Sequence, residues 1–325
     1  MILAITFKPT DAERRIVAEV VGDLAEACYL TDFDESGRRD ILSRADVVLA
    51  RNTGKELRPE ELKLVGKARL IQFLSAGLDH IPVSQLPGNV PIAKNAGAYA
   101  DPMAEHALAM ALAAAKRLLI EHRNLLRGEF NQFTPNKMLH GRICGIFGFG
   151  GIGAATARLM RCVGMRIHAV NRRGATDERV DWIGTPDRLD ELVAVSDVLI
   201  ISAPLTSATQ RAIGQRQLSL MKDDAILINL ARGEIVDEDA LYEHLKAKPR
   251  FTACLDAWWI EPVRHGEFRM NRPFLELPNV IGSPHNSASV ADASAVALRY
   301  GLANCRRALM GEAPLNPLKP DERMR

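Results

Sequence analysis

A glycine-rich turn between a predicted strand and a predicted helix constrains this chain more than any other feature. Residues 143–147 form an apolar run typical of a buried strand, residues 148–153 read GFGGIG, and a helical pattern follows. In such a turn the first glycine permits the bend, the second lets the backbone approach a pyrophosphate, and the third lets helix and strand pack closely. We therefore expect a dinucleotide site, although glycine turns also serve packing alone. Its predicted cofactor-binding residues are Gly148, Gly150, Gly151, Ile152 and Gly153.

The end of the next predicted strand, residues 166–170, bears on the choice of dinucleotide. A site for NAD usually has an Asp or Glu there, which binds the ribose 2′-hydroxyl. This chain has Asn171, followed by Arg172 and Arg173. The neutral amide removes a carboxylate that would repel a 2′-phosphate, and guanidinium groups suit that phosphate. We expect NADP as the cofactor, with NAD possible; the alternative is an arginine pair on a solvated turn.

Composition and charge exclude several classes of protein. The chain has 325 residues, enough for about two domains, and 47% of them are apolar, as in ordinary globular proteins. A net charge of +2 gives no electrostatic basis for binding nucleic acid or an anionic membrane. No apolar run approaches the roughly 20 residues that cross a bilayer. The five cysteines lack CxxC spacing, so we expect reduced thiols in the cytoplasm and no metal site.

Predicted strands and helices alternate along the chain, which is typical of parallel α/β sheets. The predicted strands are residues 2–7, 47–50, 70–74, 143–147, 166–170, 198–202, 225–230, 252–257 and 279–282. The predicted helices include residues 11–24, 59–65, 102–126 and 289–310. The helix over 102–126 is apolar around much of its surface, which indicates burial between domains or subunits.

This order of elements predicts the fold class and two domains. We expect an α/β protein with a doubly wound parallel sheet (Rossmann) as the cofactor domain and a second, smaller flavodoxin-like α/β domain for the substrate. The predicted substrate domain comprises residues 1–98 and 287–325, because the final helix returns to it. Residues 99–286 form the predicted NAD(P)-binding domain.

Four charged or titratable residues follow the later predicted strands. Arg232, Asp256, Glu261 and His285 each come at or shortly after such a strand. Open α/β sheets place their ligand crevice outside the carboxyl ends of their strands. The sequence therefore predicts a site that contains a guanidinium, two carboxylates and an imidazole.

The order and spacing of these motifs resemble those of the D-isomer-specific 2-hydroxyacid dehydrogenases. The resemblance is clearest between residues 70 and 285. It is carried by residues 145–153, Pro204-Leu205-Thr206, residues 229–233, Asp256 with Glu261-Pro262, and Pro284-His285. It implies that Arg232 holds the substrate carboxylate and carbonyl, that His285 is the general acid and base, and that Glu261 orients and charges His285.

The chemistry of keto-acid reduction agrees with these three roles. A hydride reaches the carbonyl carbon while a proton reaches the oxygen, so the site needs a proton donor and a cation for the carboxylate. A carboxylate beside an imidazole favours the protonated imidazole. Taken singly, however, Arg232 could form a strand-end salt bridge, Glu261 could be a solvated acid, and His285 could be structural.

The resemblance implies further contacts with substrate and cofactor. The turn of Ser75, Ala76 and Gly77 would bind the substrate carboxylate, since backbone N–H groups in such turns attract anions; an ordinary turn is the alternative. The further cofactor-binding positions are Ala203, Pro204, Thr209, Leu230, Ala231, Asp256 and His285. Asp256 would lie near the nicotinamide amide, or alternatively cap a loop. Many members of the family have a bulkier residue than Ala203.

The expected activity is NAD(P)H-dependent reduction of a small 2-keto acid, such as glyoxylate or hydroxypyruvate, to the D-2-hydroxy acid. Formate dehydrogenases pair the histidine with a glutamine, whereas this chain has Glu261. Phosphite dehydrogenases carry a lysine in the segment matching residues 75–77, which contains none here. Both differences disfavour these two activities. We expect no regulatory domain of the long phosphoglycerate dehydrogenases, because the chain ends soon after the final helix. We expect a homodimer built around the cofactor domain. Whether Trp258, Trp259 or Tyr99 touches the substrate is open.

One alternative belongs to a different class of protein. Transcriptional corepressors share this dinucleotide fold, so the chain could be a cofactor-sensing, non-catalytic interaction protein. The lack of long disordered tails argues against that interpretation. Turnover of nicotinamide with any 2-keto acid would discriminate between the two.

Overall fold

The computed structural model describes residues 1–318, and the chain divides into two compact units. One unit comprises Met1–Tyr99 together with the chain from Val290 onward, and the other comprises Ala100–Ser289. The predicted domain boundaries fall after residues 98 and 286. Residues 319–325 of the predicted substrate domain lie outside the described residues.

The elements alternate as the sequence indicates. The strands are β1 (Ile2–Ile5), β2 (Glu26–Tyr29), β3 (Val47–Ala50), β4 (Leu70–Phe73), β5 (Ile92–Ala93), β6 (Ile143–Phe147), β7 (Arg166–Val170), β8 (Trp182–Gly184), β9 (Val198–Ile201), β10 (Ile226–Asn229), β11 (Thr252–Leu255) and β12 (Val280–Gly282). The α-helices are α1 (Asp11–Val21), α2 (Glu35–Arg44), α3 (Thr53–Glu56), α4 (Ala100–Ala115), α5 (Leu118–Leu126), α6 (Gly151–Cys162), α7 (Leu189–Val195), α8 (Gln215–Leu220), α9 (Glu238–Ala247), α10 (Pro262–His265) and α11 (Ala293–Leu309). Short 3₁₀ helices include Leu64–Lys67 and Gly233–Ile235.

The first unit is built on a parallel sheet with the strand order β2-β1-β3-β4-β5. This is the order of flavodoxin-like folds. Strands β3 and β4 are buried along their whole length, as expected when both faces of a parallel sheet are covered. Helix α11 packs against α1, β3 and β4 and so completes this unit.

The second unit is built on a parallel sheet with the strand order β12-β11-β10-β9-β6-β7-β8. From β8 to β11 this is the Rossmann order, and β12 extends it at one edge. The strand order reverses between β6 and β9, which pair directly. Ligands of such sheets bind outside the carboxyl ends of the strands at this reversal. The predicted fold class, a doubly wound sheet with a second α/β domain, is confirmed.

The predicted helix over residues 102–126 is wrong as a single helix. The structure has α4 and α5, separated at Arg117, whose φ of 53° lies in the left-handed region and ends the helical path. The apolar surface of α4 is covered within its own unit by α6, β10 and β11. Helix α5 instead leaves several leucines exposed. Within residues 1–318, no helix combines the length and the apolarity that a membrane crossing requires.

The predicted helix over residues 59–65 is also wrong. The structure has turns there, followed by the 3₁₀ helix Leu64–Lys67. The buried carboxylate of Glu61 accepts the Arg58 N–H at 2.9 Å, and it accepts Arg38 Nε and Nη2 at 2.7 and 2.6 Å. These bonds hold the segment against α2. Helical spacing in the sequence carries no signal of an ion pair to so distant a residue.

Candidate active site

The glycine-rich turn connects β6 to α6 through very close backbone packing. Gly148 has a φ of +100°, and a Cβ there would lie 2.2 Å from the backbone nitrogen of Ala203. A Cβ on Gly153 would lie 2.6 Å from the carbonyl oxygen of Gly148. The N–H groups of Gly148 and Phe149 both donate to the Val170 carbonyl at the end of β7. The first and third glycines are therefore required by the turn itself and by helix packing.

The second glycine of the turn meets open space instead. Gly150 is the N-cap of α6 in an extended conformation, and a Cβ there would have no neighbouring atom within 4 Å. Gly151 and Ile152 form the first turn of α6, whose N–H groups have no partner within the helix. An uncrowded backbone at a helix N-terminus fits a pyrophosphate. These residues therefore fit a dinucleotide cofactor.

Asn171, Arg172 and Arg173 form a turn directly beyond β7, next to the glycine-rich turn. The Asn171 side-chain oxygen accepts the N–H groups of Arg173 and Gly174 at 2.9 and 2.8 Å, and its amide donates to Ala175 O at 2.9 Å. The amide of Asn171 is thus used to build the turn. Arg172 and Arg173 are exposed on it.

One of the predicted cofactor-binding segments is closed by its own side chains. The Thr209 hydroxyl donates to Pro204 O at 2.7 Å and accepts the Thr206 N–H at 2.8 Å, which closes the loop after β9. Ala203 and Leu230 are buried, whereas Ala231 is half-buried. The structure therefore places these residues at the carboxyl ends of β9 and β10.

Arg232 follows β10 on a turn held by the buried Asn229. The Asn229 amide donates to Arg232 O at 2.8 Å, and its oxygen accepts the Ala231 N–H at 3.0 Å. Arg232 Nη1 donates to Ala231 O at 2.8 Å. The positive charge of Arg232 also acts on Glu261. The turn thus places a guanidinium close to a buried carboxylate.

His285 and Glu261 form the central pair of the site. His285 Nδ1 lies 2.8 and 2.9 Å from the two carboxylate oxygens of Glu261, so Nδ1–H donates to the carboxylate. Glu261 is buried and also accepts the Trp258 N–H at 2.7 Å. Burial alone would raise the pKa of Glu261. The hydrogen bonds from His285 and Trp258 and the charges of His285 and Arg232 outweigh burial and lower that pKa.

Asp256 holds the backbone around His285. Its fully buried carboxylate accepts Ser283 Oγ at 2.5 Å and the N–H groups of Asn286 and Ser287 at 3.1 and 3.2 Å. His285 has a φ of 50°, a left-handed conformation that few non-glycine residues adopt. Asp256 therefore caps this loop, and its contact with the nicotinamide amide stays a prediction. The buried Ser287 Oγ has no hydrogen-bond partner within residues 1–318, and it could serve a polar group of a cofactor.

Both tryptophans of the loop before Glu261 are packed in the protein. Trp258 Nε1 donates to Ser283 O at 2.8 Å, and Trp259 Nε1 donates to Val236 O at 2.9 Å. Trp259 also stacks on Phe274 at a ring-centroid distance of 5.1 Å. These contacts give the tryptophans a packing role.

In the first unit, the turn of Ser75, Ala76 and Gly77 follows β4 and is half-buried. The Ser75 carbonyl accepts the Asn95 N–H at 2.9 Å. The Tyr99 hydroxyl donates to Leu74 O at 3.0 Å, just before the turn. The structure describes this turn within its own unit, and its contact with substrate stays a prediction.

Sequence reasoning did not find several polar residues that support the site. Ser283 and His106 are two of them, since His106 Nε2 lies 3.1 Å from the Ser283 Oγ that donates to Asp256. Glu234 and Arg264 are two more, and they form a bidentate ion pair. No motif marks these residues, because their partners lie far along the chain.

Comparisons with known proteins agree with this architecture. The family model described as "D-isomer specific 2-hydroxyacid dehydrogenase, NAD binding domain" matches residues 108–287. Over its whole length the chain is 30% identical to a D-3-phosphoglycerate dehydrogenase of Methanocaldococcus jannaschii, and it spans 61% of that protein. It is 31% identical to a hydroxypyruvate reductase of Thermotoga maritima, over 78% of this chain and 81% of that one. The crystal structure of a provisionally named formate dehydrogenase from Pyrobaculum aerophilum has 25% identity, full coverage of both chains and a TM-score of 0.82.

The chain therefore belongs to the D-isomer-specific 2-hydroxyacid dehydrogenase family, and the resemblance found in the sequence is confirmed. Enzymes of this family reduce 2-keto acids to 2-hydroxy acids with NAD or NADP. The matched NAD-binding domain makes a nicotinamide dinucleotide the cofactor class.

Proposed function

We propose that this protein reduces a small 2-keto acid of the glyoxylate or hydroxypyruvate type to the D-2-hydroxy acid. The observation that carries the proposal is the pairing of His285 with the buried Glu261 in a chain of this family. Two relatives are named as a hydroxypyruvate reductase and a D-3-phosphoglycerate dehydrogenase. Both names refer to three-carbon acids, which supports a small substrate.

His285 supplies the proton in this proposal. Because Nδ1–H donates to Glu261, the other ring nitrogen, Nε2, is the atom that gives its proton to the keto oxygen. The imidazolium becomes neutral in that step, and oxidation of the hydroxy acid returns the proton to Nε2. Proton transfer by such a group contributes about 10²–10⁴-fold to the rate. A bound nicotinamide supplies the hydride for the carbonyl carbon.

Arg232 binds the substrate carboxylate and carbonyl in this proposal. Its guanidinium carries a permanent charge, matches a carboxylate in geometry and stabilises the negative charge that develops on the keto oxygen. Ser75, Ala76 and Gly77, in the first unit, are proposed to bind a substrate carboxylate through backbone N–H groups. Glu261 keeps His285 oriented, and its lowered pKa keeps the carboxylate ionised for this purpose.

The test is a panel of 2-keto acids assayed with NADPH and NADH by following the nicotinamide absorbance. The panel contains glyoxylate, hydroxypyruvate, 3-phosphohydroxypyruvate and branched 2-keto acids. We expect the highest kcat/KM with glyoxylate or hydroxypyruvate. A preference for 3-phosphohydroxypyruvate would replace the proposed substrate, and the absence of turnover with every keto acid would overturn the proposed activity.

The cofactor preference is proposed to be NADP. The support is that Asn171 uses its amide to build the turn, so the exposed Arg172 and Arg173 are the groups that suit a 2′-phosphate. We expect a higher kcat/KM with NADPH than with NADH. Replacing Arg172 and Arg173 by Ala should remove about 1–3 kcal/mol of that preference. Arg166→Ala, at the opposite end of β7, is the matched control, and an unmodified enzyme that prefers NADH would refute the assignment.

A homodimer formed through the second unit is also proposed. Helix α5 and the segment after it expose the large apolar side chains Leu118, Leu125, Leu126, Phe130 and Phe133. Exposed apolar patches of this kind mark interaction surfaces. We expect a dimer mass in sedimentation at micromolar concentration and a monomer after Leu125→Glu. A monomeric unmodified protein would exclude this assembly.

The cytoplasm is the proposed location. All five cysteines are free thiols, and four of them are buried. Proteins of oxidising compartments commonly pair their cysteines, whereas cytosolic proteins keep them reduced. Fractionation of the native host tests this assignment, and recovery of the protein outside the cytoplasm would exclude it.

A further inference from the structure

A bidentate ion pair connects the loop that carries Arg232 to the loop that carries Glu261. Glu234 follows Arg232 by two residues, and Arg264 follows Glu261 by three. Arg264 Nη1 and Nη2 donate to the two carboxylate oxygens of Glu234 at 2.9 and 2.6 Å. The Arg264 and Glu234 side chains are only 11% and 21% exposed, so water screens this pair less than a surface pair.

Two other contacts join the same pair of loops. A Cβ on Gly233 would lie 2.4 Å from the carbonyl carbon of Trp258, so the two backbones touch there. Trp259 Nε1 donates to Val236 O at 2.9 Å on the far side of Glu234. The loops are therefore attached before, at and after Glu234, and a shift of one loop must carry the other with it.

We propose that Glu234 and Arg264 are positioning residues that keep Arg232 in register with the His285–Glu261 pair. The inference rests on the proposed function, because it requires Arg232 to hold the keto acid that His285 protonates. One substrate carbonyl must meet the guanidinium and the imidazole together, so a small relative shift of the two loops lowers the rate of reduction. Glu234 and Arg264 act through the two loops, and the charge-assisted pair limits that shift.

The variants for the test are Glu234→Gln, Arg264→Met and the double variant. Gln keeps the size of the side chain and loses its charge, and Met keeps much of the length of the arginine stem. The matched controls are Glu191→Gln and Arg188→Met, which remove a bidentate pair of similar geometry that is 57% and 42% exposed in the same unit. Each holoenzyme is assayed for kcat, KM for the keto acid, KM for NADPH and thermal midpoint.

We expect each single variant to lose about tenfold in kcat/KM for the keto acid, because misalignment of reacting groups is costly. The loss should include kcat, the KM for NADPH should be unchanged, and deuterated NADPH should give a larger isotope effect. The double variant should have a kcat/KM no lower than that of the poorer single variant, since either change already breaks the pair.

Arg264→Lys keeps the charge of the arginine without its planar guanidinium. Its kcat/KM should fall between those of wild type and Arg264→Met. Wild-type kinetics with a lowered thermal midpoint, or additive losses in the double variant, would overturn the inference.

Binding of oxamate, an unreactive amide analogue of a 2-keto acid, separates this inference from the proposed activity. The NADPH-loaded wild type should bind oxamate, and Glu234→Gln and Arg264→Met should weaken that binding severalfold while the controls do not. If the wild type reduces no keto acid, the proposed function fails, and oxamate affinity still decides the role of the pair. Equal oxamate affinity in all variants, or no binding to the wild type, would overturn it.

Discussion

Two buried glutamates, one in each unit, have similar surroundings and different partners. Glu61 accepts a backbone N–H and pairs with Arg38, whereas Glu261 accepts a backbone N–H and pairs with His285. Burial raises the pKa of both carboxyl groups, but their hydrogen bonds and the opposite charges outweigh it and lower both pKa values. Arg38 stays charged at any physiological pH, whereas an imidazole exchanges its proton there. The two pairs therefore differ through the partner of the glutamate and not through the carboxylate. An arginine partner suits a structural ion pair, whereas a histidine partner suits proton transfer.

Arg38 and His285 also differ in the solvent exposure of their side chains. The Arg38 side chain is 13% exposed and also donates to the carbonyls of Leu30 and Glu56. The His285 side chain is 32% exposed. One pair therefore ties separate segments of the first unit together, while the other leaves part of its imidazole accessible to a reactant.

The largest expected effect is the loss of catalysis in His285→Ala. The variant should lose at least about 10²-fold in kcat for reduction and for oxidation, because it lacks the proposed proton donor and acceptor. Steady-state rates in both directions measure this loss, and Arg38→Met is the comparison variant. Comparable loss of kcat in a folded Arg38→Met protein would break the distinction between the two pairs.

The next effect is on stability. Arg38→Met should lower the free energy of unfolding by about 3–5 kcal/mol, because it leaves the buried Glu61 carboxylate without its ion partner. Arg44→Met, whose partner Asp40 is 60% exposed, should cost no more than about 1 kcal/mol. Urea unfolding followed by circular dichroism gives both values. Equal losses in the two variants would show that burial of the Glu61 pair is unimportant.

Glu261→Gln tests, through the pH dependence of the rate, whether the Glu261–His285 pair differs in function from the Glu61–Arg38 pair. In the proposed mechanism the imidazole of His285 gives its proton in reduction and takes it back in oxidation, so the two rates should depend on pH in opposite directions. The Glu261 carboxylate accepts His285 Nδ1–H, so its removal should change both pH profiles while cofactor affinity is retained. The profiles are measured where the chemical step limits the rate. Superimposable wild-type and variant profiles would disprove the functional coupling of Glu261 to His285.

The smallest expected effect is on acid stability. Both glutamates have a pKa below their ordinary value of 4.5, so the unfolded chain binds more protons than the folded protein as the pH falls. Each carboxylate thus adds stability that is present above that value and is lost as the pH falls through its folded pKa. Arg38→Met removes the main hydrogen bonds that lower the pKa of Glu61. In Arg38→Met, the free energy of unfolding should therefore decline less steeply than in wild type below about pH 5, whereas Arg44→Met should decline like wild type. Parallel declines in wild type and Arg38→Met would show that the Arg38–Glu61 pair does not cause the loss of stability in acid.

The success of the sequence prediction varied with the distance between the interacting residues. The strand over residues 143–147 and the turn and helix that follow it depend on neighbouring residues, and the strand was predicted with its observed bounds. The break at Arg117 was missed because the apolar pattern continues across it on both sides. The helix predicted over residues 59–65 failed because Arg38, from a different element, binds Glu61.

By itself, the sequence determined the α/β class, the glycine-rich turn and the family, because local periodicity and ordered motifs carry that information. It also predicted Arg232, Glu261 and His285 as site residues. Only the tertiary structure decided that Nδ1 of His285 donates to Glu261, that Asp256 caps the His285 loop, and that Glu234 pairs with Arg264. Each of these contacts joins residues about 24 to 30 positions apart. Such residues meet only when strands of one sheet bring their carboxyl ends together, and no local pattern of side chains records that meeting.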